Sequence, residues 1–401
     1  MRQLTDGALM PYKSKTYGRN DEVAALYKMF EAGRDISMHG PRRLGKTFLL
    51  DRLVDAAPDR NWIAVKAELA GCLDSRAVFR ELCSRIGHQR TGGQKAKDWV
   101  KQRFSQFLGH RTELGGAWYQ GLLTVDYESH FERLIKAMQD DPDRRWLLLI
   151  DELPIFLKSL HDKGPTGLTA ARDFMNLTTR LRQENPKVRW MITGSIGIEP
   201  LARAGNYQGV LAKFQSFELQ PLSEAQATSF VQDLAFSGQL PHRQEISDAE
   251  ASALNEAVGW RAAYYIDALA QKVQGELTNT PEEARRVIEE AVTQLLQPSE
   301  MNAFGTWEEH LRKHYHDTER SIAFSVLGAL AVNAQGTNID TLLAGIQRPE
   351  LTRGGLKTLL IRLHTEGFVS IDNLDDDSPK CAFRNPLLRR WWQRYKPQGD
   401  L

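Results

Sequence analysis

One short segment, Gly40-Pro41-Arg42-Arg43-Leu44-Gly45-Lys46-Thr47, restricts the fold more than any other part of the chain. It follows the compact apolar run Ile36-Ser37-Met38-His39. It precedes residues 48–54, where Leu49, Leu50 and Leu53 recur at helical spacing. Glycines at its two ends let the backbone curl so that successive N–H groups point inward. A helix beginning near Lys46 adds the positive end of its dipole to that concavity. Gly-x-x-x-x-Gly-Lys-Thr between a strand and a helix is the pattern of a phosphate-binding P-loop. Lys46 is expected to reach the β- and γ-phosphates of ATP, with Thr47 as a Mg²⁺ ligand. Gly40, Pro41, Arg42, Arg43, Leu44, Gly45 and Phe48 complete the expected nucleotide-binding stretch.

The first half supplies a sheet to carry this turn. Residues 62–65, 146–150, 188–192 and 214–219 read as further strands, with Asn185-Pro186 opening the third of them. Helical stretches separate them, which implies right-handed parallel crossovers and a sheet covered on both faces. Asp151-Glu152 caps the strand Trp146-Leu147-Leu148-Leu149-Ile150. Two acids there also suit an ordinary helix N-terminus. Beside a P-loop, Asp151 is expected to hold Mg²⁺ and Glu152 to polarise the attacking water as general base, with Lys46 as the third catalytic group. At the next strand tip, Thr193-Gly194-Ser195 is either a turn of small residues or a sensor of γ-phosphate through Thr193 or Ser195, one and not both.

After Pro221-Leu222-Ser223-Glu224 the strand signals disappear. Ser223 and Ser247 read as N-caps of two helices, and residues 264–273 and 281–296 as two more. From Phe304 a third part emerges. Residues 322–332, 339–346 and 352–365 read as helices, the last stopped by Gly367. Residues 368–371 and 381–383 then bracket a hairpin, which gives a winged-helix arrangement. The expected fold class is α/β. A P-loop NTPase parallel-sheet core (residues 1–221) is followed by an all-helical lid (222–300) and a winged-helix domain (301–401).

Composition agrees. A chain of 401 residues has room for two to three domains of about 150 residues. Its 41% hydrophobic and 26% charged residues exclude a disordered chain. The net charge of +1 excludes histone-like binding by the whole molecule, though not a basic patch. No run approaches the ~20 apolar residues of a membrane helix, and residues 1–16 contain no secretory signal. The 3 cysteines form no C-x-x-C pair and suit reduced thiols in the cytoplasm.

Together these motifs resemble the archaeal-type P-loop ATPases of the STAND and AAA+ branch. Tyr17-Gly18-Arg19-Asn20-Asp21-Glu22 is similar to that family's adenine-side box, shortened by one residue, which implies nucleotide contacts for Tyr17 and Arg19. Gly40-Pro41-Arg42-Arg43 is similar to its form of Walker A. Leu149-Ile150-Asp151-Glu152 resembles Walker B, and Ile192-Thr193-Gly194-Ser195 the sensor strand. Phe217-Glu218-Leu219-Gln220-Pro221-Leu222-Ser223 matches the exit into the lid, and residues 383–392 the ending of the winged helix. The chain departs from the family in two places. Gly259-Trp260-Arg261-Ala262-Ala263 lacks the lid proline, leaving Arg261 as a sensor to phosphate. Val210-Leu211-Ala212-Lys213 replaces the arginine-finger segment, with Arg180, Arg182 and Arg203 as substitutes. The resemblance implies a homo-oligomer.

Other constellations have two readings each. Arg85, Arg90, Lys95, Lys97, Lys101, Arg103 and Arg111 would suit phosphates of DNA or a solvated insertion. Lys380, Arg384, Arg389, Arg390, Arg394 and Lys396, interleaved with Trp391, Trp392 and Tyr395, would suit a nucleic-acid surface or a core-packed terminus. Arg353, Lys357 and Arg362 give the third helix a modestly basic face, while Asp372, Asp375, Asp376 and Asp377 on the wing repel a DNA backbone. His310 and His314 share a helix face, as metal ligands do, but Arg312 and Lys313 beside them oppose a cation. The resulting expectation is a Mg²⁺-dependent ATPase switch that repositions its winged helix to regulate a partner protein. The alternative is a DNA-binding ATPase similar to origin-recognition initiators or transposition regulators.

Overall fold

The structure, a computed structural model, describes residues 19–87, 126–300, 302–346, 348–349, 351–373 and 376–395. Among them the expected strands of the first half form β1 (Ile36–His39), β2 (Trp62–Glu68), β3 (Arg145–Asp151), β4 (Val188–Thr193) and β5 (Gln215–Glu218). They pair in parallel in the order β2-β3-β4-β1-β5. Trp146 to Ile150 on β3 are buried throughout, as a strand covered on both faces must be. Each such large side chain stabilises the fold by roughly 1.5–3 kcal/mol.

Helices α1 (Asn20–Glu31), α2 (Lys46–Ala56), α3 (Ser75–Gly87), α4 (Tyr127–Gln139), α5 (Leu153–His161), α6 (Pro165–Glu184), α7 (Glu199–Gly205) and α8 (Gln208–Leu211) accompany the sheet. Parallel pairing sends every strand's C-terminal end to one edge. Register then decides which residues meet there: Met38 of β1 lies opposite Thr193 of β4, Ile192 opposite Ile150 of β3, and Asp151 opposite Glu68 of β2. Because β4 runs between β1 and β3, its tip lies between the phosphate-turn strand and the acidic strand.

The described residues divide into two compact units. One takes those of Gly18–Gly40 and Lys46–Leu219, and the other those of Pro41–Gly45 and Gln220–Leu401. The second unit contains α9 (Glu224–Phe236), α10 (Asp248–Val258), α11 (Ala263–Ala270), α12 (Pro281–Leu295), α13 (Asn302–His314), α14 (Asp317–Ala331), α15 (Ile339–Ile346), α16 (Arg353–Glu366) and α17 (Pro386–Tyr395). Ser223 and Ser247 each close a capping box, with Gln226 and Glu250 respectively, satisfying N–H groups that a helix start leaves open. Gly367 ends α16 in the left-handed conformation. An antiparallel sheet, β6 (Thr337–Asn338), β8 (Lys380–Phe383) and β7 (Val369–Asp372), completes the three-helix arrangement of α14 to α16. Among the described residues no helix is long and apolar enough to cross a membrane.

Candidate functional site

The sheet unit contributes both ends of the Gly40–Thr47 segment. Lys46 opens α2, is buried, and donates from its ammonium to the Gly40 carbonyl at 2.6 Å. Thr47, next along α2, donates its hydroxyl proton to Asp151 Oδ2 at 2.8 Å. Asp151 is only 1% exposed, and its other oxygen accepts the backbone N–H of Glu152 at 3.1 Å. The turn and the β3 acid, 104 residues apart in sequence, thus share a hydrogen bond.

Glu152 occupies left-handed backbone (φ 57°, ψ 32°), rare outside glycine, as the chain leaves β3 for α5. Its carboxylate is held by Ser195, whose N–H and hydroxyl both donate to Oε2, at 2.8 and 2.9 Å. Burial pushes the Glu152 pKa up from the ordinary carboxylate range. The Asp151 charge pushes the same way, while Ser195 and Lys46 pull it back. Thr193 and Ser195 therefore have different surroundings. Ser195 is engaged by Glu152, whereas the buried Thr193 hydroxyl has no hydrogen-bond partner among the described residues. Such an orphaned hydroxyl is uncommon in a protein interior.

The middle of the segment, Pro41–Gly45, belongs to the helical unit. Arg43 has left-handed backbone (φ 65°). Its guanidinium lies 4.3 Å above the Tyr264 ring centroid, and it donates to Thr306 Oγ1 at 3.1 Å. Pro41 and Leu44 are buried, Arg42 is half-buried, and Gly45 has φ 95°. Phe48, in the first turn of α2, is half-buried. Arg261 donates from Nε to the Leu222 carbonyl at 3.0 Å, close to the start of α9. A Cβ on Gly259 would come within 2.6 Å of Pro386 Cγ, so close packing explains that glycine where the lid proline is missing. Arg19 is buried and pairs with Glu22 at 2.7 Å. Tyr17 lies outside the described residues.

The structure decides between the two readings of several surface constellations. Arg362 does not stand on an open basic face: it pairs with Glu319 at 2.7 Å and Glu366 at 3.1 Å. Arg353 is drawn to Asp340 at 2.8 Å. Trp391 and Trp392 are core residues, each 1% exposed, and Tyr395 donates to the Leu296 carbonyl, so the rings of that terminus are not a stacking platform. Of the proposed finger substitutes, Arg182 is buried against Asp35, Arg180 pairs with Glu132 and Glu184, and Arg203 is exposed. From the basic stretch only Arg85 is described, paired with Glu81; Arg90, Lys95, Lys97, Lys101, Arg103 and Arg111 lie outside the described residues, as do Asp375 and Lys396. Among the described residues no group of three metal-ligating side chains occurs. Tyr264, Thr306 and Glu366, which surround the turn's arginines or their partners, carry no local motif and escaped sequence reasoning.

Solved structures similar to the chain over almost its whole length include two archaeal proteins. One is the Walker-type ATPase PABY2304 of Pyrococcus abyssi (TM-score 0.64, 14% identity, 96% of this chain and 98% of that one). The other is the ORC2 protein of Aeropyrum pernix, solved as ADPNP–ADP complexes (TM-score 0.54, 13% identity, 98% of this chain and 95% of that one). At such identities the likeness is one of fold, and the fold is that of the P-loop NTPases. No family model matches the sequence, and no curated protein does.

Proposed function

We propose that the protein is a Mg²⁺-dependent ATPase that works as a switch, its nucleotide state passing through the unit that holds Pro41–Gly45 to a partner protein. The hydrogen bond from Thr47 to the buried Asp151 carries this reading. It joins two hard oxygen donors of the kind Mg²⁺ prefers, one from the glycine-framed turn and one from the neighbouring acidic strand. The orphaned Thr193 hydroxyl on the intervening strand supports it too, as a donor suited to a phosphate oxygen. Thr47 and Asp151 would hold the metal, which when bound neutralises phosphate charge.

The chain's own groups divide the remaining work. Backbone N–H groups of residues 40–47 and the α2 N-terminus bind phosphate. Lys46 exchanges the Gly40 carbonyl for phosphate oxygens. Glu152 accepts the proton of the attacking water, and Ser195 orients it. Arg261 senses phosphate from the start of the lid, Tyr17 and Arg19 flank the base, and residues 301–401 act as a winged helix in a homo-oligomer. The alternative, a DNA-binding ATPase, is supported by the likeness to an ORC2 fold, but Arg353 and Arg362 are already paired within their own unit. Steady-state ATP hydrolysis with and without duplex DNA, at two salt concentrations, separates them. A switch hydrolyses ATP regardless of DNA; stimulation that falls steeply with salt supports the alternative. Absence of binding to any Mg-nucleotide by calorimetry removes both.

A further inference from the structure

Arg42, in the middle of the glycine-framed turn, ends in a buried polar chain within its own unit. Its Nη1 donates to Nδ1 of His310 on α13. The other ring nitrogen, Nε2, meets Glu366 Oε2 on α16 at 3.0 Å. A guanidinium can only donate, so Nδ1 carries the lone pair and the ring proton sits on Nε2, facing the carboxylate. Burial holds the imidazole neutral, which this tautomer requires. The His310 and Glu366 side chains are 0% and 2% exposed. Tyr315 donates to the same Glu366 oxygen at 2.7 Å, and Arg362 donates to the other at 3.1 Å.

A buried carboxylate with this many donors is fully satisfied and stiff. It lies next in sequence to Gly367, whose bare Cα abuts Pro41. The turn is therefore gripped at two successive residues: Pro41 packs against Gly367, just past the end of α16, and Arg42 bonds His310 of α13, which Glu366 at that same end holds in turn.

We propose that His310 and Glu366 are positioning residues for the ATPase: they hold Arg42, and with it the phosphate-binding turn, in register with α16. This deepens the functional reading above and rests on it. Neither residue touches the reacting atoms. Their loss weakens nucleotide binding and leaves the acids of β3 untouched. Asparagine presents its carbonyl oxygen close to where Nδ1 stands, and glutamine presents its amide close to Nε2, so the variants can be told apart.

The test measures Mg-ATP affinity, KM and kcat for His310→Ala, His310→Asn and His310→Gln in the full chain. Hydrogen exchange at residues 42–45 is followed without nucleotide, and a melting curve verifies folding. We expect His310→Ala to raise Kd and KM about tenfold with kcat within about twofold, and to speed exchange at 42–45. His310→Asn restores most of the affinity and His310→Gln does not. In an Arg42→Ala background, His310→Ala adds nothing further. Equal affinities for all three variants, a full effect persisting without Arg42, or unchanged exchange while the parent binds Mg-ATP overturns this inference alone. A parent that binds no Mg-ATP overturns the functional reading and this inference with it.

Discussion

Replacing Gly367 by alanine tests how closely α16 bears on the phosphate turn. Two costs arise, and the structure separates them. Gly367 has φ 96°, where an L side chain is strained by about 1–2 kcal/mol. An added Cβ would also fall inside contact distance of Pro41 Cβ and 3.2 Å from its Cγ. Pro41 is a ring fixed to the backbone and cannot swing aside, so this overlap costs a further ~1–3 kcal/mol. Gly275 is the natural control. Its φ is 87°, and a Cβ there meets nothing within 4 Å, so Gly275→Ala carries the backbone cost without the collision. Denaturant unfolding of the parent and both variants gives the difference, and calorimetry with Mg-ATP reads its effect at the turn. Gly367→Ala is expected to lose about 2–5 kcal/mol and to bind nucleotide more weakly, and Gly275→Ala to lose about 1–2 kcal/mol with affinity unchanged. Equal losses in the two, with equal affinities, would refute the claim that Pro41 feels the end of α16.

Other substitutions probe the remaining chemistry. Lys46→Ala is expected to abolish Mg-ATP binding in a calorimetric titration while the melting curve keeps its shape. Glu152→Gln should bind Mg-ATP like the parent but turn over roughly 100-fold or more slowly, and parental turnover would remove Glu152 from its role. Only ionised Glu152 can take a proton, and its pKa is raised, so kcat should climb with pH through a limb above the ordinary carboxylate range. A profile flat from pH 5 to 8 speaks against that assignment. Asp35 accepts from Arg182 at 2.8 Å and lies 3.5 Å from Arg189, all three buried. Asp35→Ala strands two cations and should cost about 3–5 kcal/mol by denaturant titration; a loss below ~1 kcal/mol would mean water reaches them.

What was legible in the sequence is what local pattern fixes. The strand, glycine-framed turn and helix at residues 36–56 announce themselves through adjacent residues, as do the acids after β3 and the Ser223 and Ser247 caps. Strand order was not legible: nothing in residues 188–193 says that they run between β1 and β3. The division of labour between Thr193 and Ser195 depends on which hydroxyl meets Glu152, 43 residues away. Likewise the spacing of His310 to His314 offers only a metal-site reading, which Arg312 and Lys313 already oppose, and no hint of what the ring does touch. Its true neighbours, Arg42 and Glu366, come from 268 and 56 residues away. The helical face through Arg353 and Arg362 misled for the same reason, since Glu319 and Asp340 take those charges from other helices.

A carboxylate has two oxygens, and Ser195 fastens one of them twice over. Any proton that Glu152 collects must settle on Oε1, and its arrival leaves both tethers on Oε2 in place. The group can thus be filled and emptied over and over without swivelling, like a cup bolted by its base. In the proposed role of base, the carboxylate would need no turn to meet its water.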